Sequence, residues 1–103
     1  MKIIDYKKIW DNAMTYPSYR ELIDRLIEEG KSTGPDQSQS LVDYTALNAQ
    51  RMKRIDKTYH PNQALIETLS KLKGKVLVLT ITEGWCGDAA QIVPVASALL
   101  DQV

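Results

Sequence analysis

The apolar positions of this chain change rhythm twice. Up to residue 73 they recur at helical spacing, over 75–82 they run almost unbroken, and beyond 87 helical spacing returns. Residues 4–13 offer only Ile4, Tyr6 and Trp10, a weak face for a short helix. A clearer helix follows. Ser18 and Glu21 have capping-box spacing, Pro17 suits a first turn, and Tyr19, Leu22, Ile23, Leu26 and Ile27 form one stripe that Gly30 can stop. Residues 31–39 are polar and turn-rich and predict a mobile loop. A third helix is predicted over 40–59, with Leu41, Tyr44, Leu47, Met52 and Ile55 near one face. His60-Pro61 ends it, because proline disfavours helical geometry in the residue before it. Pro61 or Asn62 opens a fourth helix whose Leu65, Ile66, Leu69 and Leu72 are expected to face inward, and Gly74 closes it.

The run Lys75–Thr82 lacks polar alternation, which predicts a strand covered on both faces inside a parallel or mixed sheet. After a turn at 84–87, Ala89, Ile92, Val93, Ala96, Leu99 and Leu100 predict an amphipathic helix that Pro94 should kink. One strand leaves unpaired N–H and C=O groups along both edges. The expectation is a chain truncated on its C-terminal side, with self-association of the truncated chain or a strand hidden in the N-terminal half as the other solutions.

Composition narrows the classes. Of 103 residues, 44% are hydrophobic and 25% charged, as in an ordinary globular domain. Thirteen basic and thirteen acidic residues cancel, so bulk charge argues for neither nucleic acid nor an anionic membrane surface. No stretch approaches transmembrane length, and the opening residues lack the apolar core of a signal peptide. A single cysteine excludes an internal disulfide and fits a reducing cytoplasm. His60 has no histidine or cysteine near it in sequence, and no glycine-rich phosphate loop occurs. No metal and no cofactor are expected.

The chemistry is expected at Glu83-Gly84-Trp85-Cys86-Gly87-Asp88-Ala89-Ala90, where the only cysteine stands at the start of a helix. Open N–H groups and the macrodipole there favour a thiolate, the nucleophilic form. The segment resembles the active site of the thioredoxin superfamily, Trp-Cys-Gly-Pro-Cys after a hydrophobic strand, with a proline eight residues past the first cysteine. Trp85, Cys86, Gly87 and Pro94 match that order and spacing. Asp88 replaces the family's proline, Ala89 its second, resolving cysteine, and Thr80 its buried acid. The resemblance covers roughly 75–103 and is nearest to bacterial thioredoxin-like proteins with a helical N-terminal extension. It implies an α/β, thioredoxin-like fold, incomplete here with one clear central strand: a helical extension over 1–73, then the first part of the domain over 74–103. The family's later strands and cis-proline loop have no counterpart in the sequence.

Each candidate residue carries two readings. Cys86 either attacks a disulfide of a protein or small thiol, an external thiol then resolving the mixed disulfide, or is an inert small apolar side chain. The first makes the chain a monothiol oxidoreductase; the second, a non-catalytic binding module with a degenerate site. Asp88 either stabilises the helix start or shuttles a proton, and its charge opposes thiolate formation. Trp85 presents an apolar surface to a partner, packs the turn, or does both. Arg51, Lys53, Arg54 and Lys57 form a solvated basic face or hold an anion, with Arg51 and Arg54 the pair on one face.

Overall fold

The computed structural model describes residues 3–103, so Met1 and Lys2 of the expected extension lie outside the described residues. Five helices follow one another: α1 Tyr6–Asn12, α2 Tyr16–Glu28, α3 Gln39–Thr58, α4 Gln63–Ser70 and α5 Gly87–Leu100. Side chains cap three of their starts, satisfying N–H groups that a first turn leaves open. The Asp5 carboxylate accepts from Lys8 N–H, and the Asn62 amide oxygen from those of Ala64 and Leu65. At α2 the cap is Thr15, which accepts from Ser18 N–H, so the helix begins before the expected Ser18 cap and takes Pro17 into its first turn.

Helix α3 is the hub, packed against both α2 and α5. The core is small: Ile23 from α2, Ala49 and Met52 from α3, and Ala90 and Pro94 from α5. The buried face of α3 is Thr45, Asn48, Ala49 and Met52, at helical spacing i, i+3, i+4, i+7. Of the apolar face expected there, only Met52 is buried, while Tyr44 and Leu47 point to solvent. The small and hydrogen-bonding stripe wins because its polar atoms all find partners across the packed surfaces; no buried side-chain nitrogen or oxygen is left unpaired among the described residues. At the far end of α2, Tyr16 Oη donates to Asp56 Oδ1 at 2.8 Å and Arg20 Nε to Asp56 Oδ2 at 3.4 Å, tying α2 to α3.

Two expectations are corrected outside this core. Helix α4 buries none of its residues, and Leu65 and Leu72 are exposed rather than inward. The expected central strand is not confirmed either: among the described residues, 75–82 form no ladder with any other segment. Val76, Leu77, Val78 and Ile81 are each more than half exposed. A ladder needs a second extended run, and the rest of the described chain is committed to helices and tight connections. The described residues are therefore helical with one unpaired arm, and the α/β layer expected is not confirmed among them. The radius of gyration, 15.5 Å, reflects that arm and the loosely held α4, since a compact chain of this length measures about 13 Å.

The connection 31–38 is pinned rather than free. Gln37 uses both ends of its amide on Ser32, accepting from its N–H at 2.9 Å and donating to its carbonyl at 2.7 Å, and donates to Gly34 O as well. Ser32 is buried, and its hydroxyl pairs with Thr45 Oγ1 at 2.6 Å.

Candidate functional site

Cys86 is the N-cap residue of α5, reached through a turn in which its own N–H donates to Glu83 O at 3.1 Å. Extended backbone at Cys86 gives way to helix at Gly87. No side chain caps this start, so the first-turn N–H groups beside the sulfur remain open. The thiol is half-buried and free. It lines a cavity of about 430 Å³ with Ile81, Trp85, Ala89, Ile92 and Val93, a mostly apolar hollow between the extended arm and α5. Trp85 and Ile92 are exposed on this side.

The turn before the cysteine is held from α3 and from the loop preceding it. Gly84 N–H donates to Thr33 Oγ1 at 2.8 Å, and Gly84 O accepts from Asn48 Nδ2 at 3.0 Å. Thr33 donates its own hydroxyl proton to the Glu83 carboxylate. Gly84 is buried so tightly that a Cβ there would come within 2.8 Å of Ile23 Cδ1 and 3.1 Å of Thr45 Cγ2. Asn48, fully buried, accepts in turn from Arg51 Nη1 at 3.0 Å through its own Oδ1. That guanidinium ends 3.4 Å from where a Gly87 Cβ would stand, one residue past the cysteine.

The predicted site residues are thus partly brought together. Trp85, Cys86, Gly87 and Arg51 share one neighbourhood, and Pro94 is buried within α5 as part of the core. Asp88 lies exposed in the first turn of α5, placed to favour the helix start. Arg54 is exposed, and its backbone carbonyl accepts from the Thr58 hydroxyl; of the two arginines, Arg51 is the one with a described contact to the turn. No carboxylate lies within ion-pair distance of Arg51 among the described residues. No group of metal-ligating side chains gathers among them either, and no helix is long and apolar enough to cross a membrane.

Three residues of this neighbourhood were not singled out as site residues in the sequence: Thr33 fell in the polar loop, Asn48 outside the apolar face of the third helix, and Tyr19 in the apolar stripe of the second. In the structure burial, followed by the Glu83 carboxylate and, less strongly, Cys86, holds the Tyr19 phenol above its usual value, against a hydrogen bond with Thr82. A signal existed for Asn48, whose helical spacing with Thr45, Ala49 and Met52 marks one face of α3, but none for Thr33 in the loop before it.

A family model described as Thioredoxin matches residues 34–103, a span that takes in α3, α4, the turn and α5. No curated protein matches the chain, and no solved structure does.

Proposed function

The chain belongs to the thioredoxin family, and from that premise we propose that it is a monothiol thiol–disulfide oxidoreductase acting through Cys86. The observation that carries this reading is the placement of the only cysteine at an uncapped helix start, in the wall of an apolar hollow. Open N–H groups stabilise developing negative charge on sulfur, and the hollow beside Trp85 accepts the apolar flank of a disulfide-bearing partner.

The exchange runs in two balanced steps. The Cys86 thiolate attacks one sulfur of a disulfide R–S–S–R′, forming Cys86–S–S–R and releasing R′S⁻. A thiolate of an external thiol then attacks the R sulfur, freeing Cys86 and leaving the new disulfide in solution. With Ala89 where a resolving cysteine would stand, no internal route closes the cycle. The external thiol points to a reducing cytoplasm as the working compartment. The arm 75–82 would fill the role of the family's sheet strand once a second strand pairs with it and takes up its open backbone N–H and C=O groups.

Intact-mass spectrometry after incubation with oxidised glutathione tests the reading. The wild-type chain is expected to gain one glutathionyl group, removable by reduced glutathione, and Cys86→Ser to gain none. A wild-type chain that forms no adduct while its thiol remains free refutes the exchange and leaves the binding-module reading in its place.

A further inference from the structure

We infer that Thr33 and Asn48 are positioning residues for Cys86: together they hold both backbone groups of Gly84, and so fix where the sulfur sits at the head of α5. Four observations converge on this. The N–H and the carbonyl of Gly84 are each taken by a side chain from a different segment, Thr33 at 2.8 Å and Asn48 at 3.0 Å. These segments lie 51 and 36 residues upstream, so the anchorage is tertiary and not part of the turn itself. Gly84 leaves no room for a side chain, since an added Cβ would meet Ile23 Cδ1 and Thr45 Cγ2. Asn48 is fully buried and its amide is used at both ends, the nitrogen on Gly84 O and the oxygen on Arg51.

The arm that enters the turn has little else to steady it beyond the Tyr19 contact with Thr82 at its last residue. Residues 75–81 are solvent-exposed or half-exposed and unpaired, so without the Gly84 anchor the sulfur would inherit the arm's freedom. A buried, fully used polar network restricts geometry more sharply than apolar contact, because each bond has a distance and a direction to satisfy. Asn48 does a second thing through the same amide. By accepting from Arg51 Nη1 it directs the guanidinium toward Gly87, setting a positive charge beside the head of α5. The upstream segment is on this account a component of the reactive site, and neither residue need touch the substrate.

The consequence for catalysis rests on the disulfide-exchange reading, but the test does not need that reading to hold. Cys86 alkylation in the native chain is followed with neutral iodoacetamide and with anionic iodoacetate, well below the melting point of each variant. Thr33→Val keeps the shape and removes the hydroxyl. It is expected to lower the iodoacetamide rate about fivefold, roughly the equilibrium worth of one hydrogen bond, and Thr33→Ser to restore it. Asn48→Ala should lower that rate too, and should also reduce the ratio of iodoacetate to iodoacetamide rates, because Arg51 loses its support. Arg51→Ala should reduce the ratio alone. Because fully buried Asn48→Ala risks unfolding, the half-buried pair Thr33→Val and Thr33→Ser decides the matter independently. Wild-type alkylation rates in folded Thr33→Val, or a loss in Thr33→Val that Thr33→Ser does not restore, overturn the inference. Loss of alkylation with no disulfide exchange in the wild type keeps the positioning role and removes the oxidoreductase.

Discussion

Placing a methyl group on Gly84 probes the tightest point of the molecule. In Gly84→Ala the new Cβ would lie 2.8 Å from Ile23 Cδ1, 3.1 Å from Thr45 Cγ2 and 3.5 Å from Thr33 Cγ2. The Ile23 atom ends a side chain, but Ile23 and Thr45 are both fully buried, so neither has free space to turn into. Overpacking of this kind costs about 1–3 kcal/mol, against a gain of about 0.4–1 kcal/mol from a stiffer unfolded chain. The net expectation is a loss of about 1–2 kcal/mol. Gly87→Ala is the control. Its Cβ meets only Arg51 Nη1, at 3.4 Å, and it is the first residue of α5, so the change should be neutral or stabilise by well under about 1 kcal/mol. The decisive arm is a double-mutant cycle with Ile23→Val, which deletes the clashing Cδ1. Alone that change costs about 0.5–1.5 kcal/mol. Combined with Gly84→Ala it should cost less than the sum, by about 1 kcal/mol. Urea unfolding read by tryptophan fluorescence gives each free energy, provided the slope is common to all four proteins. Additive costs, or a Gly84→Ala as stable as wild type, would mean that Gly84 is not wedged between α2 and α3, and the anchoring of the turn would fall with it.

Two further outcomes follow from the same geometry. Thr45→Val keeps Cγ2 in the core but strips the hydroxyl that Ser32 pairs with, so unfolding free energy should fall by about 1–3 kcal/mol, and Ser32→Ala added to it should recover part of that loss. Stability should also fall as pH rises from 10 upward. Burial first, then the hydrogen bond to Asp56 and the charge on it, hold the Tyr16 phenol above its usual value of 10.0, and Tyr19 is raised as well. An acid whose pKa is higher folded than unfolded keeps its proton in the native state while the unfolded chain gives it up, so its contribution is complete below pH 10 and drains away above it. Melting temperature measured across that range should drop more steeply for wild type than for Tyr16→Phe, and parallel curves would contradict this.

The helices were legible because helix punctuation is local. Pro17, Gly30, Pro61 and Gly74 mark ends that lie within a few residues of those found, and Asn62 caps α4 as its position suggests. Which face each helix buries was not local. Counting apolar residues on α3 selects Leu41, Tyr44 and Leu47, whereas packing selects Thr45, Asn48 and Ala49, because two partners approach closely only over small side chains and these polar atoms are then satisfied. The run 75–82 reads as a strand on composition alone, yet a strand exists only with a neighbour to bond, and no property of those eight residues supplies one. Cys86 at a helix start was legible from the Trp-Cys-Gly order and the glycines around it. The hold on Gly84 was not, since it joins residues 36 and 51 positions apart.

The feature that hid the core is the one that shapes the site. A turn such as 83–87 has backbone groups that neither a helix nor a sheet consumes, and burying it against an apolar helix face would leave them unpaired at a cost of about 1–3 kcal/mol each. A helix face carrying Thr45 and Asn48 with a threonine from the preceding loop can take the turn in, satisfy Gly84 on both sides and still close over Ile23 and Met52. The polar stripe thus separates two regions of different rigidity. Over 75–81 the arm forms no ladder and is largely exposed; after Gly84 the sulfur stands on a helix packed along α3.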